Sequence, residues 1–532
     1  MPEDFRPNAA PAAADARPEL RTRIDPKHGD LPSRLTAAAM DRRRIAPGGA
    51  INDDPGKFGR MFPNLSPLVV DDARLLKLAE AMRDSEDASG DNPAIPSGFT
   101  YLGQFVDHDI TLDLTPINAR KLDPDANANF RSPALDLDAL YGLGPAQQPF
   151  MYQRDLNGRT TERLLLGRTQ GGPQPGGPFD PFPNDLPRNS VGRALIGDER
   201  NAENLLVAQT HVAFLKFHNA VVQWLIDNGS PLSGGALFDE ARRIVTWHYQ
   251  WIVLFDFVER LTEPGLVGKV RDRGRRFYRF ARTPYIPVEF SAAAYRLGHS
   301  MVRDAYSHNK VFDDGAARLD LLFHFTGKSG AIVGDLATDA SPADFPRGPG
   351  AFAALPSNWI IDWRRFYDFG DGAVAVNHSR KLDPFVAPAL HTLPGEIGAT
   401  ANLPFRNLRR GVLLELPSGQ DVARYGMGLE PMTPDEIASG PDGEEAARQD
   451  LHGATPLWYY ILKEAQVHHG GVRLGPVGSN IVAETFLGLI HGDHMSFLWQ
   501  RRDWKPELPS AVPGHFTMVD LLRFVDEVNP LG

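Results

Sequence analysis

Two carboxylates, an imidazole and a carboxamide fall within six consecutive positions of one otherwise apolar stretch. They belong to Gln104, Asp107, His108 and Asp109. Burying so many polar groups is costly unless each of them is paired, ligated or used in a covalent bond. Carboxylates on both sides of a histidine are typical of a tuned acid/base or of the shell around a metal. A helix end capped by an aspartate, with His108 hydrogen-bonded in the core, explains the run equally well.

A second polar group, at residues 197–203, opens an apolar segment. Arg200 and Glu203 stand three positions apart within it, which places them on one face if the segment is helical. Asp198 or Asn201 is suited to cap that helix. An intrahelical ion pair, worth roughly 0.2–0.5 kcal/mol, is the structural alternative to a catalytic arginine.

A third group places a histidine directly after a glycine, at Gly298 and His299. Glycine inside an amphipathic helix costs about 1 kcal/mol relative to alanine. Its presence beside a histidine therefore favours the close approach of a flat group to the backbone. Haem is such a group, and histidine is its most common proximal ligand. A histidine hydrogen-bonded within the core is the alternative.

Apolar spacing predicts that helices carry these groups. Apolar residues three, four or seven positions apart indicate a helix from Leu205 to near Gly229. Further helices are expected at 238–261, 291–305, 444–467, 481–490 and 518–528. Strand patterns are rare and short, and Gly- or Pro-rich stretches predict loops at 87–97, 171–187, 342–349 and 431–441. The expected fold class is mainly α, a single large helical domain with long loops and little β-structure.

Length and composition limit the class of protein. The chain has 532 residues and is 42% hydrophobic and 23% charged, which is typical of a globular protein with a large core. Residues 1–30 are rich in Ala, Pro and charge and are expected to form a disordered tail, which leaves 31–532 as the domain. A net charge of −11 argues against nucleic acid as the main partner.

The chain has no cysteine, which excludes disulfides, thiolate metal sites and iron–sulfur clusters. No apolar stretch reaches the length of a membrane span. The first residues lack the basic and apolar regions of a signal peptide. We therefore expect a cytoplasmic protein, with leaderless export as the alternative.

In their order along the chain, the motifs resemble those of the animal haem peroxidase family, which includes myeloperoxidase, lactoperoxidase and peroxidasin. The series is Gly-Gln-x-x-Asp-His-Asp, Arg-x-x-Glu, Arg-x-Gly-His and Asn-x-x-Arg-Gly, and the last motif begins at Asn407. Any one motif is weak evidence, but four in family order over residues 102–411 are specific. The stretch 473–493 is similar as well. The absence of cysteine favours a bacterial-type member.

The resemblance implies a role for each residue on the distal side of the haem. His108 matches the histidine that takes a proton from hydrogen peroxide and returns it to the leaving oxygen. Arg200 matches the arginine that stabilises the charge of the departing hydroxide. Gln104 matches the glutamine near the water and halide position.

The same resemblance assigns the proximal side. His299 matches the ligand of the haem iron, and Asn407 matches the carboxamide that accepts its other ring N–H. Arg296 and Arg410 match arginines near the haem propionates, where a guanidinium group suits a carboxylate.

Two carboxylates match residues that form ester bonds to haem in mammalian members, namely Asp107 and Glu203. The residue after Glu203 is a methionine in myeloperoxidase, where it forms a sulfonium link. Here it is Asn204. We therefore expect no sulfonium bond, which puts efficient chloride oxidation in doubt.

A calcium site is also implied by the resemblance. Its oxygen ligands would come from Asp109, the Ser132 hydroxyl, the Ala134 carbonyl, Asp136 and Asp138, and such oxygens are the ligands that calcium prefers. An acidic surface turn is the structural alternative. The family often has serine where this chain has Asp138.

The implied function is that of a haem peroxidase with haem b and calcium, which suits a response to oxidative stress. Its partners are hydrogen peroxide, which oxidises haem to a ferryl state (Compound I), and a halide, thiocyanate or organic donor, which reduces that state. A fatty-acid dioxygenase of the same superfamily is the nearest alternative. In cyclooxygenases the radical tyrosine stands three residues before the proximal histidine. Here that position is Arg296, and Tyr295 is displaced by about 100° around a helix, which favours a peroxidase.

Two further classes are weaker alternatives. A non-catalytic haem- or calcium-binding adhesion protein is disfavoured because His108, Arg200 and His299 are all present. A non-haem metal enzyme built on the first polar run is disfavoured because neighbouring residues rarely converge on one ion and no HExxH pair supports it.

Overall fold

The computed structural model describes residues 58–85, 89–112, 129, 131–169, 181–190, 192–280, 283–324, 354–393 and 397–532. The expected tail at 1–30, the expected loop at 342–349 and most of the expected loop at 171–187 lie outside these residues. Within them the mainly α fold class is confirmed. No helix of this described part is both long and apolar enough to cross a membrane.

The helices of the described residues form many short and a few long segments. In chain order they are α1 (Asp72–Ala81), α2 (Gly98–Ile110), α3 (Asp138–Tyr141), α4 (Leu205–Asp227), α5 (Gly234–Ile252), α6 (Glu259–Leu261), α7 (Leu266–Arg273), α8 (Val288–Ser291), α9 (Leu319–His324), α10 (Leu403–Leu413), α11 (Gly419–Asp421), α12 (Pro434–Ile437), α13 (Gly440–Arg448), α14 (Leu457–His469), α15 (Pro476–Gly492), α16 (Phe497–Gln500) and α17 (Met518–Phe524). Two π-helical turns are Val253–Val258 and Val422–Met427. The 3₁₀ turns are Pro149–Met151, Glu199–Ala202, Ala294–His299, Ser357–Trp359, Trp363–Arg365, Pro388–His391 and Gly398–Ala401.

The β-structure of the described residues consists of isolated pairs of short strands. The strands are β1 (Phe58–Gly59), β2 (Asp91–Pro96), β3 (Tyr152–Arg154), β4 (Thr160–Leu164), β5 (Ile286–Pro287), β6 (Ala305–Tyr306), β7 (Ala317–Arg318) and β8 (His378–Arg380). Strand β1 pairs with β5 in parallel, and the antiparallel pairs are β2 with β8, β3 with β4 and β6 with β7. None of these pairs extends into a larger sheet, so helix packing builds the core.

Three central helices hold the segment that carries the first polar run. Phe105 of α2 stacks on Phe214 of α4, with ring centroids 4.9 Å apart, and meets the edge of Tyr249 of α5 at 6.2 Å. All three rings are buried. On the same helix, a Cβ at Gly103 would lie 2.9 Å from the Phe257 ring, so only glycine permits this approach. The apolar face of α2 is therefore fixed, and this fixes the direction of its polar residues.

Several helix predictions are confirmed. Helix α4 begins at Leu205 and ends at Asp227, close to the predicted bounds. The helix expected at 238–261 runs from Gly234 to Leu261 without a break, although Val253–Val258 is π-helical. Helix α15 contains the segment expected at 481–490, and α17 begins at the expected Met518 but ends at Phe524, four residues before the predicted end.

Two helix predictions are wrong. The segment 291–305 contains the 3₁₀ turn Ala294–His299 and then strand β6 instead of one α-helix. The segment 444–467 is divided between α13 and α14. Gly453 and Pro456 lie in the gap between those two helices, and both residue types oppose a continuous helix.

Two loop predictions are also wrong. The segment 87–97 contains strand β2, whose partner β8 lies far away in sequence, so no local pattern announces the pairing. The segment 431–441 contains α12 and the start of α13. Proline stands at the first positions of both helices, where its missing N–H is not needed, and Thr433 closes a capping box with Glu436. These prolines start helices instead of making turns.

Candidate functional site

The first polar run lies in the last two turns of helix α2, and none of its residues caps the helix. Gln104, Asp107, His108 and Asp109 are all helical, and the C-cap residue is Thr111. The alternative that an aspartate of this run caps the helix is therefore wrong. The His108 ring is buried, and its Nδ1 lies 2.8 Å from Oδ1 of Asn201.

The turn before α4 differs from the expected helix start. Residues Glu199–Ala202 form a 3₁₀ turn, which Asp198 caps by accepting the Arg200 N–H at 2.9 Å. Helix α4 begins only at Leu205, and its cap is Asn204, whose Oδ1 accepts the Val207 N–H at 2.9 Å. The expectation that Asp198 or Asn201 caps α4 is wrong. The interruption frees the Asn201 side chain to contact His108.

Arg200 is anchored to the end of α2. Its Nη2 donates to the carbonyl oxygens of His108 at 2.9 Å and Thr111 at 2.7 Å. Its Nε donates to Asp198 at 3.1 Å, and the buried Arg131 side chain also donates from Nε to Asp198 at 3.0 Å. The Asp198 carboxylate therefore lies between two guanidinium groups. These bonds fix the position of Arg200 relative to the His108 ring.

The charges of this cluster are strongly coupled. Burial acts to raise the pKa of Asp198, but Arg131 and Arg200 outweigh it and hold the pKa far below its usual range. Burial opposes the charge of Arg200, but Asp198 outweighs it, and the pKa of this guanidinium is raised. Both groups therefore stay charged. Burial, together with the charge of Arg200, lowers the pKa of His108 to about 4, so its imidazole is neutral near pH 7.

Gln104 is held by the residue that caps α4. The Asn204 Nδ2 donates to Gln104 Oε1 at 2.9 Å, while Asn204 Oδ1 serves as the helix cap. Asn204 is buried, so both bonds are shielded from water. With its oxygen engaged, the Gln104 carboxamide keeps its N–H groups for another acceptor.

The two carboxylates expected to form ester bonds both lie near enough to Arg200 to act on its charge. Asp107 accepts a hydrogen bond from the Thr111 hydroxyl at 2.9 Å through Oδ1. Glu203 follows the 3₁₀ turn and is partly buried, and its N–H donates to the Arg200 carbonyl at 3.1 Å. Both negative charges help to raise the pKa of Arg200. The structure thus brings both side chains to the same region as the distal arginine.

The expected proximal residues meet at the end of a 3₁₀ turn. His299 is the last residue of that turn, and its Nδ1 lies 2.7 Å from Nδ2 of Asn407 on α10. The expected contact between Asn407 and His299 is present, but the amide nitrogen of Asn407 faces the ring, where the acceptor oxygen is expected. An amide has the same shape in both orientations, and the role of iron ligand requires the reverse one, with Asn407 Oδ1 accepting from Nδ1–H. Burial and two arginines, Arg296 and Arg406, lower the pKa of His299 to about 3, which keeps the ring neutral.

The turn that carries His299 is tied to the distal helix. The Tyr295 hydroxyl donates to the carbonyl of Gly103 on α2 at 3.0 Å. Arg296 is buried, its Nε has no hydrogen-bond partner among the described residues, and Asp107 contributes to its electrostatic environment. Burial lowers the pKa of Arg296 and also that of Arg410 on α10. The two cations that act on His299 are Arg296 and Arg406, and a place for Arg410 beside a propionate stays a prediction.

An acidic group lies where calcium is expected. The Ser132 hydroxyl donates to Asp136 at 2.9 Å and to Asp138 at 3.3 Å. Asp109 Oδ1 is buried and has no hydrogen-bond partner among the described residues. Burial, followed by the charges of Asp136 and Asp138, raises the pKa of Asp109 well above its usual range. No three His, Asp or Glu side chains of the described part form a ready metal cluster. Ala134 lies in the same loop, partly buried.

The sequence does not indicate the contacts that three residues make in the site. Asn201 contacts His108, His211 contacts Asn201, and Arg131 shares Asp198 with Arg200. Asn201 stands next to the expected arginine, where the sequence indicates only a helix cap. His211 lies within the apolar pattern of α4 and has the spacing of a core residue. Long-range contacts, which local patterns do not reveal, bring all three residues into the site.

Part of the chain matches a protein-family model. Residues 115–328 match the family model described as animal haem peroxidase. This range includes Arg200, Glu203 and His299, whereas the first motif and Asn407 lie outside it.

Curated relatives share only part of their length with this chain. A peroxidase-like protein of Margaritifera margaritifera is 33% identical over 135 residues, which are 24% of this chain and 17% of that protein. The thyroid peroxidase of Canis lupus familiaris is 27% identical over 200 residues, which are 35% of this chain and 20% of that protein. The chain thus matches about a fifth of the length of each relative.

Solved structures match over nearly the whole chain. Peroxidase A from Dictyostelium discoideum superposes with a TM-score of 0.57 at 15% identity, over 91% of this chain and 98% of that one. The Oryza sativa fatty acid alpha-dioxygenase superposes with a TM-score of 0.55 at 12% identity, over 94% of this chain and 85% of that one. At such low identities these similarities establish a shared fold.

Proposed function

We propose that this chain, whose residues 115–328 match the animal haem peroxidase family model, is a haem peroxidase that reduces hydrogen peroxide and oxidises a small donor. The observation that supports this best is the state of His108. Its imidazole is buried and neutral, its Nδ1 is engaged by Asn201, and its backbone carbonyl is bound to the cation Arg200.

The residues around His299 are suited to haem. His299 is neutral, as an iron ligand must be, and its Nδ1 is the nitrogen in contact with Asn407, which leaves Nε2 for the metal. A Cβ added to the neighbouring Gly298 would meet no atom within 4 Å, so the backbone there is open to a flat group. The buried Arg296 Nε without a partner is a donor suited to a propionate. The haem iron, when bound, would supply the redox chemistry of peroxide cleavage.

His108 is the proposed base. Its Nε2 takes up a proton from hydrogen peroxide and delivers it to the oxygen that leaves as water. A pKa of about 4 keeps Nε2 unprotonated and ready to accept a proton near neutral pH. Arg200 keeps its positive charge beside this proton transfer, where it stabilises negative charge on the leaving oxygen.

Gln104 is proposed to bind the donor or the water that precedes it. Its oxygen is engaged by Asn204, so its N–H groups are the ones available to a halide or thiocyanate. Asn204 also replaces the methionine of myeloperoxidase, and an amide has no sulfur for a sulfonium bond. We therefore expect iodide or thiocyanate to be oxidised more readily than chloride.

Two finer features of the cofactors belong to this proposal. Ester bonds from Asp107 and Glu203 to haem are supported by the position of both carboxylates near Arg200. Mass spectrometry of haem peptides tests them, and haem that is fully extractable would contradict them. Calcium is supported by the buried, unpartnered Asp109 Oδ1 beside two acidic side chains.

The experiment is an assay of the haem-reconstituted protein with hydrogen peroxide and iodide, thiocyanate, chloride or a phenol as donor. We expect turnover per haem to fall by about 10²–10⁴-fold in His108→Leu. The matched control is His218→Gln, which changes another buried histidine of α4 that contacts Tyr141 and Glu162 and lies outside the site. Equal turnover in wild type and His108→Leu would contradict the proposal.

A fatty-acid dioxygenase is the second candidate, because rice α-dioxygenase shares the fold. Tyr295 lies in a 3₁₀ turn, where successive side chains are about 120° apart, so it points elsewhere than a residue three positions before His299. Its hydroxyl is bonded to the Gly103 carbonyl. Oxygen uptake on addition of palmitate, without peroxide and lost in Tyr295→Phe, would favour the dioxygenase.

A further inference from the structure

One buried carboxamide joins two imidazoles beside the proposed catalytic base. Asn201 Oδ1 lies 2.8 Å from Nδ1 of His108, and Asn201 Nδ2 lies 3.0 Å from Nδ1 of His211. Asn201 and His211 are fully buried, and His108 is 5% exposed. No solvent therefore competes for these two hydrogen bonds.

The chemistry of the three groups links their protonation patterns. A neutral imidazole has one donor and one acceptor nitrogen, and a carboxamide has one acceptor and one donor end. Through Asn201, one histidine must donate from Nδ1 while the other accepts at Nδ1. As the structure places the amide, His108 donates and His211 accepts, which puts the His211 proton on Nε2, a buried atom with no hydrogen-bond partner among the described residues. Reversing the amide would reverse both tautomers together.

Only one of these two states suits a distal base. With the proton on Nδ1, the Nε2 of His108 carries a lone pair and accepts a proton from peroxide. With a proton already on Nε2, His108 has no lone pair at that nitrogen to accept a proton from peroxide. A base held in the wrong tautomer is a severe defect in catalysis.

We propose that Asn201 is a positioning residue that holds His108 as the Nδ1–H tautomer and couples this tautomer to that of His211. This inference rests on the proposed function for its catalytic meaning, but the tautomer itself is a structural property. The His211 ring meets Phe105 edge-to-face with centroids 5.8 Å apart, and this packing places its Nδ1 beside Asn201. Phe105 is in turn stacked on Phe214.

The test is ¹⁵N NMR of the histidine rings in holoprotein labelled with [¹⁵N]histidine, in its diamagnetic ferrous carbonyl form. The ring signals are assigned by their loss in His108→Gln and His211→Gln. We expect His108 to be protonated on Nδ1 and His211 on Nε2. In Asn201→Asp, whose carboxylate accepts from both rings, His108 should keep its tautomer and His211 should change to Nδ1–H. In Asn201→Leu neither tautomer should be fixed.

The rate of reaction with hydrogen peroxide, per bound haem, gives the second readout. We expect it to fall by about 10²-fold in Asn201→Leu and to recover largely in Asn201→Asp. The control is Asn219→Leu, which removes another buried carboxamide of α4 that bonds only to the Leu164 backbone. It should lower stability without changing either tautomer or the rate.

Three results separate the possible outcomes. Nε2 protonation of His108 in the wild type overturns the inference, and so does a wild-type tautomer and rate in Asn201→Leu. If the wild type shows the expected tautomers but does not react with peroxide, the proposed function fails while the positioning role of Asn201 stands.

Discussion

Asp198→Asn should destabilise the protein strongly, because it removes the counter-charge of the buried Arg131 and of the partly buried Arg200. Asp198 is 6% exposed and accepts from both Arg131 and Arg200. Removing one partner from a buried ion pair typically costs about 3–5 kcal/mol. Here each arginine also keeps a bond to a backbone carbonyl, Arg131 to Gly197 and Arg200 to His108, so the cost should lie near 3 kcal/mol, the lower end.

The assay is urea unfolding of wild type and variant at pH 7, with equal haem content. The matched control is Glu199→Gln, which removes the partner of Arg193 from the same turn. Arg193 is 51% exposed, so this variant should lose less than about 1 kcal/mol. An Asp198→Asn protein within about 0.5 kcal/mol of wild type, which is the range of ordinary surface changes, would refute the role assigned to Asp198.

The same carboxylate gives a pH dependence with a definite sign. The pKa of Asp198 is lower in the folded protein than in the unfolded chain, where it is about 3.9. Its contribution to stability is therefore complete above the unfolded pKa and is lost as the pH falls toward the folded value. The difference in unfolding free energy between wild type and Asp198→Asn should be constant above about pH 5 and shrink below about pH 4.

Three further changes test other parts of the site. Gly298→Ala should leave the haem-free protein as stable as wild type, because a Cβ there meets nothing within 4 Å, but should reduce haem retention measured by absorbance. Haem binding as tight as in wild type would count against haem lying at this backbone. Asn204→Ala should lower the free energy of unfolding by about 1 kcal/mol, because helix α4 loses its N-cap. The same variant should raise the KM for iodide, because Gln104 loses the hydrogen bond from Asn204. An unchanged KM would contradict a role of Gln104 in donor binding. Metal analysis should find calcium in the wild type and less calcium in Asp136→Asn. Chelation should lower the melting temperature of the wild type. A wild type without calcium would contradict the calcium site.

Local patterns predict much of the fold and part of the site. The apolar repeat from Leu205 onward predicts α4 because that helix is buried along most of its length. Residue types in order also point to His108, Arg200 and His299, and the structure gives each of them a defined set of contacts. Helix α2 itself escapes prediction, since polar residues and Gly103 interrupt its apolar pattern.

Positions that depend on distant partners are beyond local patterns. Strand β2 exists because β8 pairs with it, and Asn201 contacts His108 because α2 brings that ring to it. The start of α4 is a case of competition between caps. Three candidates, Asp198, Asn201 and Asn204, precede Leu205, and the 3₁₀ turn assigns one task to each of them. Only the packed structure decides which asparagine caps the helix and which one holds a histidine.

The most direct test of the central claim is the absorption spectrum of the haem-reconstituted wild type and His299→Ala, recorded before and after one equivalent of hydrogen peroxide. We expect a Soret band in the wild type that peroxide changes and an added donor restores. In His299→Ala the band should be shifted or absent, because the proposed iron ligand is missing. A wild type without a Soret band, or a band that is the same in His299→Ala, would contradict the assignment of this chain as a haem peroxidase with His299 as its proximal ligand.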